Sequence, residues 1–375
     1  MKLANYLNTI SYAKHLFTKD CVSPIYLIFF VTERCNAKCK HCFVNVPNNK
    51  RMKEELTLQE IEKISSNMGN LLYVLPTGGE PFLRDDLPNI IHVLYKNNRL
   101  RNVGIPTNGS LTERVVASVN RTLSLCKDLL LGVDISIDAL HQAHDHIRGF
   151  PGLFEKAIAT YWQLKELEKH NQRFRVCVDV TISSFNQDHL PEIYDYFIDN
   201  LKVDNVFVRL VRGDPRDPSA KDVNIEKFVE FTEKLEQDLR NGVFYGHSAY
   251  PLSELITARD VIGRQLTIKM VKERRFQIPC YAGNLTGVIR SNGDVYPCEL
   301  LNDKIGNLRE NGYNFKELWQ SERAERIRKQ IRQTRCFCTH ECFITNNILF
   351  NPWMFPRVLK EYVGLKLRQK TTTES

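Results

Sequence analysis

Strand-like and helix-like stretches alternate over the first 211 of the 375 residues, and nothing else in the chain restricts its fold so strongly. The strand-like stretches are PIYLIFFV (24–31), LLYVLP (71–76), RNVGIPT (101–107), LLLGVDISID (129–138), RFRVCVDVTIS (173–183) and VDNVFVRLV (203–211). Between them lie amphipathic stretches of helical period. The first, LTLQEIEKISSNM (56–68), carries Thr57 three residues before Glu60, the pattern of a capping box. Strands joined in series by helices form a parallel sheet with right-handed crossovers. Several of the strands are largely apolar, as both faces of such a sheet are covered. Six units fall short of the eight of a closed barrel, so the expected fold is α/β, a partial (βα)6 TIM-like barrel. Sites in such folds lie at the C-terminal ends of the strands.

Five segments follow from this: an N-terminal helix over 1–24 (Leu3, Tyr6, Leu7 and Ile10 near one side), the barrel over 25–215, a connector over 216–279, a cysteine-bearing domain over 280–345, and an aromatic and basic tail over 346–375. A hydrophobic content of 42% with 26% charged residues is that of a globular protein. The longest apolar run, Ile25 to Val31, is far shorter than the ~20 residues of a membrane span. The first residues lack the apolar core and cleavage site of a signal peptide, so the cytoplasm is the expected compartment. No nucleic-acid partner is expected. Net charge is +8, and from Lys304 to Ser375 there are 14 Lys/Arg against 7 Asp/Glu. That excess suits an acidic partner, a phosphate-bearing substrate, a membrane surface, or simply a solvated helix face.

Eight of the eleven cysteines fall in two groups. Grouped cysteines without a secretion signal read as metal ligands rather than disulfides. Cys21, Cys126 and Cys177 stand apart and read as packing residues. The first group, in ERCNAKCKHCF, follows strand one directly and places Cys35, Cys39 and Cys42 at C-x3-C-x2-C. Structural zinc closes a tetrahedron with four ligands, and His41 has little freedom to reach back as the fourth. A four-iron cluster on three cysteines leaves one iron open to a substrate or cofactor.

In this position and spacing the triplet resembles the signature of the radical S-adenosylmethionine (SAM) enzymes. PTGGEP (76–81), at the end of strand two, is similar to that family's Gly-Gly-Glu-Pro motif. The resemblance implies that Gly78, Gly79 and Glu80 receive the methionine amino group of SAM. PTNGSL (106–111) resembles the Thr-Asn-Gly turn after strand three, which brings in Asn108. DISIDALHQAHDHIRG (134–149) is similar to the stretch after strand four in the subgroup with extra C-terminal clusters, although Ala139 replaces a frequent glycine. There Ser136 would bind the carboxylate or ribose of SAM, with Asp138 and Arg148 near the cofactor. His41 takes the place of a residue that is usually aromatic and lies by the adenine. A zwitterionic methionine needs an acid for its ammonium and a donor for its carboxylate, and Glu80 with Ser136 or Arg148 supplies both. His141, His144 and His146 could be read as a metal cluster, but His144-Asp145 fits the subgroup pattern without a metal.

The second group is Cys280, Cys298, Cys336, Cys338 and Cys342. SNGD between VIR and VYP signals a hairpin that brings Cys280 near Cys298. The pattern resembles the SPASM and twitch extensions of radical SAM enzymes, which hold auxiliary iron–sulfur clusters. Five thiols suit one auxiliary [4Fe–4S] cluster with one to spare. By register Cys280, Cys298 and Cys342 come first, Cys338 next, and Cys336 is the spare. Zinc on four cysteines is the alternative.

The resemblance implies that a reduced [4Fe–4S] cluster with an open iron cleaves SAM to a 5′-deoxyadenosyl radical, which abstracts hydrogen from a substrate, with electrons from a flavodoxin- or ferredoxin-like reductant. Oxidation or epimerisation of a small polar, sugar-like molecule is the first reading. A peptide-modifying maturase is the second, although the ~24 residues before strand one are too few for a peptide-recognition domain. An iron–sulfur electron carrier or sensor is the third, and Glu80 with the SAM-site motifs speaks against it. The tail NPWMFPRVLKEYVGLKLRQK is suited to a membrane surface or a lipid-linked substrate, or to packing over the barrel opening.

Overall fold

The structure, a computed structural model, describes residues 23–44, 54–241, 243 and 253–373. The expected N-terminal helix lies outside the described residues except for its last two positions.

Six strands form the barrel sheet: β1 (Tyr26–Thr32), β2 (Tyr73–Gly78), β3 (Asn102–Thr107), β4 (Leu130–Ser136), β5 (Phe174–Ile182) and β6 (Val206–Leu210). They stand side by side in chain order, each parallel to the next, and β6 does not pair with β1 among the described residues. All six C-terminal ends therefore open on one side of a barrel that is not closed. Leu27 to Val31 are all buried, which is why this strand reads as a continuous apolar run. The connecting helices are α1 (Leu58–Ser66), α2 (Leu87–Asn97), α3 (Thr112–Leu125), α4 (His141–Arg148), α5 (Leu153–Lys169) and α6 (Leu190–Asp195). α1 begins as its sequence predicts, with the Thr57 and Glu60 side chains each bonded to the other's backbone N–H.

The C-terminal part is joined to this sheet. Past α7 (Ile225–Arg240) and α8 (Ser253–Glu273), strand β7 (Thr286–Ile289) runs parallel to β1 along its free edge, with Ile28 opposite Val288. β8 (Asp294–Tyr296) returns antiparallel through the expected hairpin, and β9 (Gly306–Asn307) completes a nine-stranded sheet. Gly293 supplies the left-handed turn residue at φ 89°. Helices α9 (Phe315–Trp319), α10 (Glu322–Gln333), α11 (Glu341–Leu349) and α12 (Phe355–Thr373) follow. α8 is a 21-residue helix within the segment expected as a connector. Its Ile262, Leu266 and Met270 form a small separate core with Ile344, Ile348 and Val358. Arg309 then ties the two halves together, donating to Glu60 of α1 at 2.7 and 3.0 Å.

Candidate functional site

The loop after β1 carries Cys35, Cys39 and Cys42 and is pinned on two sides. Lys38 and Lys40 donate backbone N–H bonds to the carbonyls of Arg148 and Ile147, both 2.9 Å, at the end of α4. Arg216 and Asp217, beyond β6, donate to the carbonyls of Cys42 and Lys40 at 2.9 and 2.8 Å. A short irregular loop is thus fixed by elements distant in the chain. Burial pushes the thiols up, Cys35 to about 11 and Cys39 to about 12. Only a cationic centre would hold them as thiolates.

The glycine pair after β2 lets that strand end approach the cysteine loop. A Cβ on Gly79 would lie 2.0 Å from the Arg34 carbonyl oxygen and 2.9 Å from Cys35 Cβ. Gly78 sits at φ 138°, and its Cβ would meet the Thr32 carbonyl. With both Cβ atoms absent, Gly79 and Glu80 donate to the carbonyls of Thr32 and Arg34 at 3.0 and 2.8 Å. Glu80 is 1% exposed. Its carboxylate accepts from Thr107 Oγ1 at 2.8 Å, from Asn108 N at 2.8 Å and from Phe82 N at 3.2 Å. Burial still raises it to about 7, because these donors are neutral. The Asn108 side chain is spent on the cysteine loop: its Nδ2 donates to Asn36 Oδ1 at 2.9 Å, and Asn36 donates to Ser110.

The residues after β4 divide into two groups. Ser136 and Arg148 line the cavity at the strand ends together with the cysteines, Gly78, Gly79, Glu80, Asn108 and His41. Asp138 stands behind it, fully buried, and accepts from Arg148 Nε at 2.7 Å and from Thr181 N at 2.8 Å. Burial pushes Asp138 up, but the charge and hydrogen bond of Arg148 together with His41 and His144 outweigh it and hold the carboxyl at about 2. Asp138 therefore orients Arg148, and its Oδ2 lies 3.5 Å from His41 Nε2. The other ring nitrogen of His41, Nδ1, is buried with no protein partner, and burial lowers its basicity. The remaining histidines are dispersed: His144 Nδ1 accepts from Asp138 N at 3.1 Å, His146 meets Lys40, and His141 faces Glu155.

Three arginines that sequence reasoning passed over complete the cavity: Arg209, Arg212 and Arg216, all at or just beyond the end of β6. Their signal was visible in VRLVRGDPR, where cations recur at the end of a barrel strand. Arg209 is paired with Asp179 at 2.7 Å. Arg212 reaches Glu341 at 3.4 Å and Glu299 at 3.9 Å and lies over the Phe43 ring. It thus touches a neighbour of Cys42, of Cys298 and of Cys342. Among the described residues the Arg216 side chain has no ion-pair partner, and it is exposed at the rim.

The second cysteine group divides into two surroundings. Burial raises Cys280, Cys298 and Cys338, and neighbouring thiols add to it: Cys336 on Cys280, Cys338 and Cys280 on Cys298, and Cys280 and Cys336 on Cys338. Cys342, on the first turn of α11, faces the barrel interior, where Arg209 Nη1 donates to its sulfur at 3.5 Å. Burial pushes Cys342 up, but Arg209 and His340 overcome it and hold the thiol at about 7.

A cluster and SAM fit these residues: three thiols raised by burial, an acid held near 7 beside them, an orphaned ring nitrogen and a strand-end hydroxyl at Ser136. Among the described residues no three His, Cys, Asp or Glu side chains converge as one metal ion would require.

Residues 29–197 match the model of the Radical SAM superfamily, and residues 280–343 match that of the SPASM iron-sulfur cluster-binding domain. The two together span more than half of the chain, which belongs to the radical SAM superfamily, in the subgroup with a C-terminal SPASM domain. Members of that superfamily are enzymes that use a [4Fe–4S] cluster and SAM, and the SPASM domain adds auxiliary iron–sulfur binding. The chain is 24% identical over 319 residues to the Fe-coproporphyrin III synthase of Methanosarcina barkeri, covering 81% of this chain and 75% of that one. It is 26% identical over 374 residues to the pre-heme d1 synthase of Dinoroseobacter shibae, covering 92% and 87%. Streptococcus suis SuiB bound to S-adenosylmethionine shares the fold at a TM-score of 0.56 with 18% identity, over 85% of this chain and 70% of that one. No helix among the described residues is long and apolar enough to cross a membrane.

Proposed function

We propose that this protein is a radical SAM enzyme acting on a small anionic molecule. The observation that carries the substrate class is the pair Arg212 and Arg216 on the cavity wall beyond β6, with Arg216 unpaired at its rim. The small polar substrate expected from the sequence thereby gains acidic groups, carboxylate or phosphate, which arginine recognises bidentately. The names of the two synthases keep a carboxylate-bearing tetrapyrrole as the second reading.

In this reading Cys35, Cys39 and Cys42 hold the first cluster, and the vacancy of the three-cysteine set is the place for SAM. When bound, the cluster and SAM supply one-electron cleavage to a hydrogen-abstracting 5′-deoxyadenosyl radical. The chain's own residues do the rest. Glu80 takes the SAM ammonium, Ser136 and Arg148 take its carboxylate or ribose, and His41 offers its free ring nitrogen on the adenine side. Asp138 positions Arg148 and His41, and Asn108 fixes the cysteine loop. Cys280, Cys298, Cys336 and Cys338 hold the auxiliary cluster, with Cys342 set apart in place of Cys336. Their shared surroundings support this set. The net reaction is an oxidation or an epimerisation, fed by a flavodoxin- or ferredoxin-like donor. The unpaired cysteines suit the reducing cytoplasm.

Anaerobic reconstitution tests the reading. The protein is expected to bind iron and sulfide and to form 5′-deoxyadenosine from SAM with dithionite, and Cys42→Ala is expected to abolish that. Among candidate substrates, sugar phosphates, uronates and carboxylated tetrapyrroles should accelerate turnover, and Arg216→Ala should raise KM with little change in kcat. Acceleration by a neutral sugar or a peptide, unaffected by Arg216→Ala, would sink the anionic class.

A further inference from the structure

Helix α12 has two apolar sides. One is packed: Val358 and Leu365 are buried, and Val358 joins Ile262 and Leu266 of α8. The other is bare. Phe355, Leu359 and Val363 recur every four residues and are 44%, 59% and 45% exposed, and Trp353, just before the helix, is 89% exposed. Large apolar side chains in one contiguous stripe mark an interaction surface, whereas scattered ones do not.

The charge beside the stripe selects its partner. From Trp353 to Lys370 the sequence holds Arg357, Lys360, Lys366, Arg368 and Lys370 against the single acid Glu361. That acid is engaged by Arg240 at 2.6 Å. We infer that this face docks on an anionic lipid surface, with Trp353, Phe355, Leu359 and Val363 entering the headgroup boundary and Lys360 meeting lipid phosphate and carboxylate groups. A second copy of the chain would bring like charges together, which costs free energy. Tryptophan beside an aliphatic stripe suits the membrane–water boundary. With no spanning helix among the described residues, the contact made by α12 is peripheral.

Vesicles decide it. The reconstituted full-length protein is mixed with vesicles of phosphatidylcholine containing phosphatidylserine, and with vesicles of phosphatidylcholine alone. Co-sedimentation is expected with the anionic vesicles, weakening with salt. Leu359→Glu should reduce the partitioning about tenfold or more, and Lys360→Glu should reduce it on the anionic vesicles only. None of these residues lines the cavity, so the thermal midpoint and 5′-deoxyadenosine formation should stay unchanged and show that the variants fold. Absence of binding to anionic vesicles would overturn the inference, and so would binding indifferent to Leu359→Glu. A dimer in sedimentation equilibrium that Leu359→Glu dissociates would also overturn it and assign the stripe to a second copy.

Discussion

Glu80 accepts three hydrogen bonds from neutral donors and is still held near 7 by burial. The direction of the shift has two consequences. A carboxyl raised from 4.5 to about 7 favours its protonated form in the folded protein, so its contribution to stability is full below 4.5 and is lost as pH climbs to about 7. A ligand ammonium reverses this preference, because it stabilises the ionised form. In the proposed site, SAM should therefore bind more tightly to the reconstituted protein as pH rises through 7. Glu80→Gln should weaken binding by about 1.5–3 kcal/mol, roughly ten- to a hundredfold, and flatten the pH dependence. Calorimetric titration on either side of neutrality measures both. A Gln variant with the same pH slope would take Glu80 out of the ammonium's role.

The ends of β1, β2 and β3 act together through the backbone: Thr32 and Arg34 accept from Gly79 and Glu80, Glu80 accepts from Asn108 N, and Asn108 holds Asn36. Gly79 packs directly on the cysteine loop. The atoms that a side chain there would strike belong to the backbone of the cysteine loop and cannot swing aside. Gly79→Ala should cost about 2 kcal/mol or more and lower the iron content after reconstitution, as chemical denaturation and iron analysis would show. Native stability and full iron loading would contradict the clasp. This cluster of strand ends was legible in the sequence because each motif is local: CNAKCKHC, PTGGEP and PTNGSL each sit where a strand stops. Arg212 was not legible, since its meaning comes from Phe43, Glu299 and Glu341, which the chain brings from far apart. The same limit applies to the place of Cys342. Three thiols within seven residues have no period that tells which faces the barrel interior, and the start of α11 decides it. α8 escaped notice because Ala258, Val261 and Ile262 are buried beside Thr257 and Thr267, which blurs its apolar stripe.

At the scale of the whole molecule, the barrel and the SPASM domain are one sheet. β1 pairs with β2 on one edge and with β7 on the other, and the pairing with β7 joins residues about 260 positions apart. The contact between Arg309 and Glu60 reinforces it across a similar separation. Six strands and a separate hairpin are legible in the sequence, whereas long-range pairing of this kind leaves no local trace. A chain ending at residue 215 should accordingly be poorly soluble and fail to retain iron, although it holds Cys35, Cys39 and Cys42. Recovery of a monomeric, iron-loaded product from that truncation would show that the barrel stands alone. The position of β1 also sets an order of events during synthesis. β1 gains its second neighbour only after residue 289 has been made, and until then the outer backbone groups of an apolar strand stay open to other chains. The cysteine loop thus hangs from an interior strand whose second edge is filled by residues near the far end of the chain.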